Sequence, residues 1–314
     1  MLYNNYKHNY KINFFKKLLY IFLLLVIVIF SIFILIFNIP TENSNAYLVA
    51  YKDKKVLLNK NKNNKKIVFI GGSNLAFGLN SEEICKTFPD YKIINFGLHA
   101  GIGIRYVLKE VVPFLKKEDI LIIIPEYENY FYDGIGGETL FEIIGIEKSF
   151  KNIDIKYLKN FSKILPALIN SLNWNKKNNN YNLSFTYDRR GFNNYGDYTE
   201  HWKYNSKKTI LPSLIKKNKI SNNLIKDIEK IIKKLESNGI IVYLLPPVYQ
   251  KSSYEINKEK ITNLEEQMTI KFILPVKTFI YNDSLFFDTV YHLNKIGVDK
   301  RTLEIIKFLK SKKI

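Results

Sequence analysis

Between Leu18 and Phe37 the chain has no charged side chain, and only Tyr20 and Ser31 interrupt the apolar run. At about 1.5 Å per residue a helix of this length crosses the ~30 Å hydrocarbon core of a bilayer, where a helix satisfies its own backbone. A cleaved signal peptide has a shorter apolar core and a small-residue cleavage site, whereas Asn38-Ile39-Pro40-Thr41-Glu42 follows here. The run is read as an uncleaved, single-pass transmembrane helix. Lys7, Lys11, Lys16 and Lys17 precede it and Glu42 is the first charge after it. Positive charge is retained in the cytoplasm. Residues 1–17 are therefore expected to be a cytoplasmic basic segment, 18–37 the membrane span, and the rest extracytoplasmic.

Residues 38–64 read as a tether with a short hairpin, 46–51 and 56–58 around Lys52-Asp53-Lys54-Lys55. From 65 to 314, strand-like runs alternate with helical periodicities. Strands are expected at 66–70, 91–95, 119–124 and 240–245, with a short fifth at 278–281. The third is apolar without alternation, as in a strand covered on both faces. Asn80-Ser81-Glu82-Glu83 offers a helix start with Asn80 as cap. Helices are expected at 104–117, disturbed at Pro113, and at 222–238, where Leu224, Ile228, Ile231, Ile232 and Leu235 keep helical spacing before Gly239. Two more are expected at 255–268 and 294–310. The alternation predicts an α/β domain, a doubly wound parallel sheet with helices on both faces. Sites in such sheets lie beyond the strand C-termini, where Ser73, Gly97, Glu126 and Pro246 fall.

At the end of the first strand, Ile67-Val68-Phe69-Ile70-Gly71-Gly72-Ser73-Asn74 sets a serine on a glycine turn at the sheet edge. Near the other end of the chain, Phe287-Asp288-Thr289-Val290-Tyr291-His292-Leu293-Asn294 brings a carboxylate and an imidazole together. A hydroxyl is a weak nucleophile until an imidazole takes its proton and a carboxylate orients that imidazole. The order Ser…Asp…His nominates Ser73, Asp288 and His292 as catalytic residues. Plainer roles exist for the same residues: a turn after a strand, and a helix start capped by Asn294.

Gly71-Gly72-Ser73-Asn74, Asn95-Phe96-Gly97 and Asp288…His292 resemble the first, second and last blocks of the SGNH (GDSL-like) hydrolase superfamily, over roughly residues 65–314. The likeness is to its membrane-anchored branches that work in envelope polymer O-acylation. It implies a flavodoxin-like SGNH fold with Ser73 as nucleophile, His292 as base and Asp288 as the orienter of His292. It also implies that the backbone N–H groups of Ser73 and Gly97 form an oxyanion hole. The chain departs from the family in three places. Gly72 stands where many members have Asp, and Pro125-Glu126-Tyr127-Glu128-Asn129 replaces the third block Gly-x-Asn-Asp. Asp288 also precedes His292 by four residues rather than three. Asp288 is still the expected partner of His292, because that spacing keeps both on one side of a helical turn. Asp283 and Glu126 are the alternatives.

From about 146 to 215 the alternation breaks in an insertion rich in Asn, Tyr and Trp. Its centre runs from Tyr187-Asp188-Arg189-Arg190 through Asn193-Asn194-Tyr195-Gly196-Asp197 to His201-Trp202. Aromatic faces beside amides and carboxylates suit sugar rings, and a surface loop in an Asn- and Tyr-rich chain is the other reading. Candidate substrate-binding residues are Asn74, Glu126, Arg189, Asn193, Asp197 and His201.

No His/Cys cluster at ligand spacing and no complete glycine-rich phosphate loop occurs, so neither a metal nor a cofactor is expected. Glu126 and Glu128 do not read as a glycosidase pair, because Pro125 ends their strand. The net charge of +19 is almost all lysine, with arginine only at 105, 189, 190 and 301. Nucleic acid is not an expected partner; an anionic membrane or envelope polymer is. Cys85 is the only cysteine, so no internal disulfide forms.

Together these features lead to an expected membrane-anchored, extracytoplasmic serine O-acyl esterase or O-acyltransferase. It would act on a cell-envelope polysaccharide through an acyl-enzyme, with the bilayer and an integral membrane acyl-donor protein as partners. The alternative is a non-catalytic SGNH-fold binding or assembly protein of envelope polymer biosynthesis. A third reading is a lipase or thioesterase on membrane lipids.

Overall fold

The computed structural model describes residues 2–38, 45–149, 166 and 187–314. The chain divides into two compact units, Met1–Glu42 and Asn43–Ile314. The described residues of the first form one helix, α1 (Leu2–Asn38), which contains the whole 18–37 run without a break. Its stretch Asn13–Ser31 has a mean hydropathy of 2.3 and buries none of itself. A helix this long, apolar and unburied has the properties of a membrane anchor.

The second unit is built on a four-stranded parallel sheet in the order β2-β1-β3-β4. The strands are β1 (Lys66–Gly71), β2 (Lys92–Asn95), β3 (Ile120–Ile124) and β4 (Ile241–Leu244). In register, Val68 pairs with both Ile94 and Leu121, and Ile122 pairs with Tyr243. The expected fifth strand does not extend this sheet. Its short remnant β6 (Ile280–Tyr281) pairs with β5 (Tyr249–Gln250) in a separate two-stranded ladder.

The helices of this unit are α2 (Ala50–Lys60), α3 (Ser73–Ala76), α4 (Ser81–Thr87), α5 (Ile104–Val111), α6 (Tyr127–Phe131), α7 (Glu138–Glu147), α8 (Asn222–Ser237), α9 (Lys251–Gln267) and α10 (Lys295–Ser311). Every residue of β1 and β3 is buried, which requires cover on both faces. On one face Ile67, Phe69, Ile122 and Ile124 pack with Ile84 of α4 and Val298 and Ile305 of α10. Around the sheet, α5 lies against β1 and α8 against β4.

Local chemistry explains the element ends. Asn80, Ser221 and Asn294 each cap a following helix by accepting a backbone N–H with the side chain. Pro113 has no N–H to donate, and α5 gives way at that point to a 3₁₀ turn, Val112–Phe114. Gly239, at φ +76°, closes α8 in the left-handed region.

Within the stretch expected to be a tether with a hairpin, residues 45–64 are instead part of the fold, and 39–44 lie outside the described residues. A 3₁₀ turn (Tyr47–Val49) leads into α2, and Tyr47, Tyr51, Lys54 and Leu58 are buried at helical spacing. Lys54 donates to the carbonyls of Asn95 (2.9 Å) and Gly196 (2.5 Å), fastening α2 to the end of β2.

Candidate active site

The order of the sheet reverses direction at β1, so the loops after β1, β2 and β3 converge on one crevice. Gly71 and Gly72 make that convergence possible. A Cβ on Gly71 would lie 2.3 Å from the Ile124 carbonyl, and one on Gly72 would lie 2.5 Å from Glu126 Oε1 and 2.9 Å from the Ala100 nitrogen. Both are contacts that only glycine avoids. Ser73 follows as the first residue of α3.

Beneath it is a buried polar floor. Glu126 Oε1 accepts from Ser73 Oγ (3.3 Å) and from the Asn74 N–H (2.9 Å). The Asn74 amide donates to the Ile124 carbonyl at 3.3 Å, and its oxygen accepts from Arg301 Nη2 at 3.1 Å. Arg301 is fully buried, and burial lowers its pKa to about 10.

On the facing side, His292 Nδ1 lies 2.8 Å from Asp288 Oδ1, with both side chains 6% exposed. Thr289 Oγ1 accepts the N–H groups of Tyr291 (3.3 Å) and His292 (3.2 Å), which winds the turn that sets this pair. The imidazole stacks on Phe77 with centroids 4.1 Å apart and planes 7° from parallel. Tyr187 donates to Asp288 Oδ2 at 2.8 Å and sits 3.3 Å from His292 Nδ1. Burial alone would raise the Asp288 pKa, but hydrogen bonds from His292 and Tyr187 outweigh it and hold the carboxyl below its ordinary value. Asp283 is exposed and accepts the Ser252 N–H instead.

Ser73 and His292 line one cavity of about 550 Å³ together with Tyr47, His99, Glu142, Tyr187 and Tyr291. Burial, with a smaller push from Glu138, raises Glu142 to about 7. Tyr291 donates to Glu128 at 2.5 Å, and burial takes Glu128 to about 7 against that bond. His99 accepts the Gly101 N–H with Nδ1 (3.0 Å), and burial lowers its pKa.

Other sequence-nominated residues do not line this cavity. The Gly97 N–H donates to Asn95 Oδ1 at 3.0 Å, so this donor is already engaged. Gly97 is glycine for a packing reason: a Cβ there would lie 2.3 Å from that of Leu75. Asp197 is fully buried and accepts from the Ser81 N–H (2.8 Å), Ser81 Oγ (2.7 Å) and Asn95 Nδ2 (2.8 Å). Asn193 closes that loop by accepting the N–H groups of Tyr195 and Asp197. His201, 1% exposed, gives Nε2 to the Leu293 carbonyl at 2.9 Å, and burial lowers it to about 4. Arg189 forms a two-point pair with Asp53. These groups bind the insertion to the domain and do not line the cavity; neither does Asn74, fully buried beneath Ser73. Residues 150–165 and 167–186 of the insertion lie outside the described residues.

Sequence reasoning did not single out His99, Phe77 or Glu142, and it placed Tyr187 in the insertion without linking it to Asp288. Tyr187 meets Asp288 across 101 positions of chain, and no local pattern announces that contact. The glycines that follow His99 were the one available signal for its loop. Compared with protein-family models, curated proteins and solved structures, the chain matches none.

Proposed function

We propose that this chain is a membrane-anchored serine esterase or acyltransferase of SGNH-like, flavodoxin-like architecture, acting outside the cytoplasm on O-acyl groups of a cell-envelope polysaccharide. The observation that carries the reading is that Ser73 and His292 line one cavity while Asp288 engages His292 Nδ1 at 2.8 Å. That bond leaves Nε2 to act as the base. Ser73 Oγ attacks the ester carbonyl carbon and its proton passes to His292 Nε2. The tetrahedral oxyanion is held by the Ser73 N–H and, in place of Gly97, by the N–H of Ala100 beside Gly72. The C–O bond to the sugar then breaks, and the leaving oxygen takes the proton from His292. Water or a second sugar hydroxyl, deprotonated by the same imidazole, releases the acyl group from Ser73. A cavity of about 550 Å³ with tyrosines in its wall suits an acylated sugar residue.

One observation favours the alternative of a non-catalytic binding or assembly protein: the Ser73 hydroxyl donates to Glu126 rather than to a histidine. Catalysis requires it to exchange that partner for His292. The test is acyl release by the full chain in detergent micelles, from p-nitrophenyl acetate and from an O-acetylated envelope polysaccharide. Ser73→Ala is expected to abolish release from both substrates. Undiminished release by Ser73→Ala would sink the esterase reading, and polysaccharide binding without turnover in either protein would establish the alternative.

A further inference from the structure

The segment from Asn205 to Ile220 has no helix or strand, yet it is firmly held. The Lys207 N–H donates to the Phe287 carbonyl at 2.7 Å, one residue before Asp288. Further along, Ser253 and Asn257 of α9 accept the N–H groups of Ser213 (3.0 Å) and Ile215 (2.8 Å). The Ser213 carbonyl accepts from Asn257 Nδ2 at 2.7 Å, and Ile215 is fully buried beneath the strap. Inward-facing polar groups thus pin its backbone while two leucines point away, Leu211 at 78% and Leu214 at 56% exposure. Ile256 on the same α9 is also 51% exposed.

Lys207, Lys208, Lys216, Lys217 and Lys219 flank these leucines, all exposed, and the strap contains no Asp or Glu. Apolar tips on a rigid backbone, flanked along the strap by lysines, are poorly suited to water and well matched to an anionic interface, although α9 beside them also exposes Glu255 and Glu259. Leucine side chains enter the acyl boundary while ammonium groups stay among the headgroups. The chain also carries α1, an apolar helix of bilayer-crossing length, so such a surface is close at hand.

We infer that the 205–220 strap docks on the surface of an anionic lipid bilayer through Leu211, Leu214 and its five lysines. Docking would bring the neighbouring Asp288–His292 turn to the membrane surface. The inference rests on the anchor and does not depend on the acyl-transfer chemistry.

The test reconstitutes the full chain, in a Cys85→Ser background, into vesicles of phosphatidylcholine alone or with about a third phosphatidylglycerol. Leu211→Cys carries an environment-sensitive fluorophore, and Leu303→Cys, at another exposed leucine (57%), serves as control. The Leu211 label is expected to shift to the blue and lose iodide quenching only in the anionic vesicles. Replacing Lys216, Lys217 and Lys219 by Gln should reverse this, since each lysine near such a surface is worth roughly a fivefold change in partitioning. Equal emission in both vesicle types overturns the proposal, as does equal shielding of the Leu303 label. So does a Leu211 label already shielded in lipid-free micelles, which would assign this face to another part of the chain or to a second copy.

Discussion

Two imidazoles pack against the ring of Phe77, His292 at 4.1 Å and His201 at 4.9 Å between centroids, and their surroundings are opposite. His292 has a carboxylate on Nδ1 and a cavity before it. His201 has a backbone carbonyl on Nε2, aromatic rings around it and no opening. A buried histidine next to a backbone carbonyl is held neutral and serves packing. A carboxylate partner instead prepares an imidazole to carry charge during a reaction. Residue type and aromatic company are shared by both, so partner and access are what separate a candidate base from a core residue.

The strongest way to break that contrast is to remove the carboxylate. Asp288→Asn is expected to lower turnover by about 10⁴-fold, because the amide favours the wrong tautomer of His292. Circular dichroism and thermal melting should remain those of the parent. An unchanged rate would make His292 as structural as His201.

The second way concerns pH. His201 falls from an ordinary 6.5 to about 4 in the folded chain, so the unfolded chain binds the extra proton between those values. Its contribution to stability is therefore complete above about pH 6.5 and is lost as the pH falls towards 4, by roughly 3 kcal/mol in all. Urea midpoints of the chain in micelles at pH 7, 5.5 and 4.5 should fall accordingly, and His201→Phe should flatten the trend. Equal slopes in the two proteins would show that this imidazole titrates freely.

Tyr187 should produce the smallest effect. A hydrogen bond to a charged carboxylate contributes about 1.5–3 kcal/mol, and Asp288 retains His292 when the hydroxyl is lost. Tyr187→Phe is expected to lower kcat by about tenfold with little change in KM. A change confined to KM would move Tyr187 from supporting Asp288 to contacting substrate.

The parts of this molecule legible in the sequence are those whose cause is local. The unbroken apolar run of β3, the caps at Asn80 and Asn294, and the Gly71-Gly72 turn all act within a few residues of themselves. Their positions follow from strand burial, side-chain capping and close backbone approach. The α2 helix was hidden because its buried face includes Lys54, whose partners, the carbonyls of Asn95 and Gly196 and the ring of Phe192, lie far along the chain. Asn193, Asp197 and His201 drew attention as sugar ligands because polar density reads alike whether it faces a ligand or satisfies the interior. Only the fold reveals that Asp197 is occupied by Ser81 and Asn95. Gly97 misled in the same way, since its glycine serves contact with Leu75 rather than an open N–H.

The most direct measurement on the central claim is covalent labelling of the full chain in micelles by a fluorophosphonate, with peptide mass spectrometry to locate the adduct. A single adduct on Ser73, lost in His292→Ala and retained in His201→Phe, is the expected result. No adduct on Ser73, or labelling indifferent to His292, would contradict it and leave the cavity a binding site without a nucleophile.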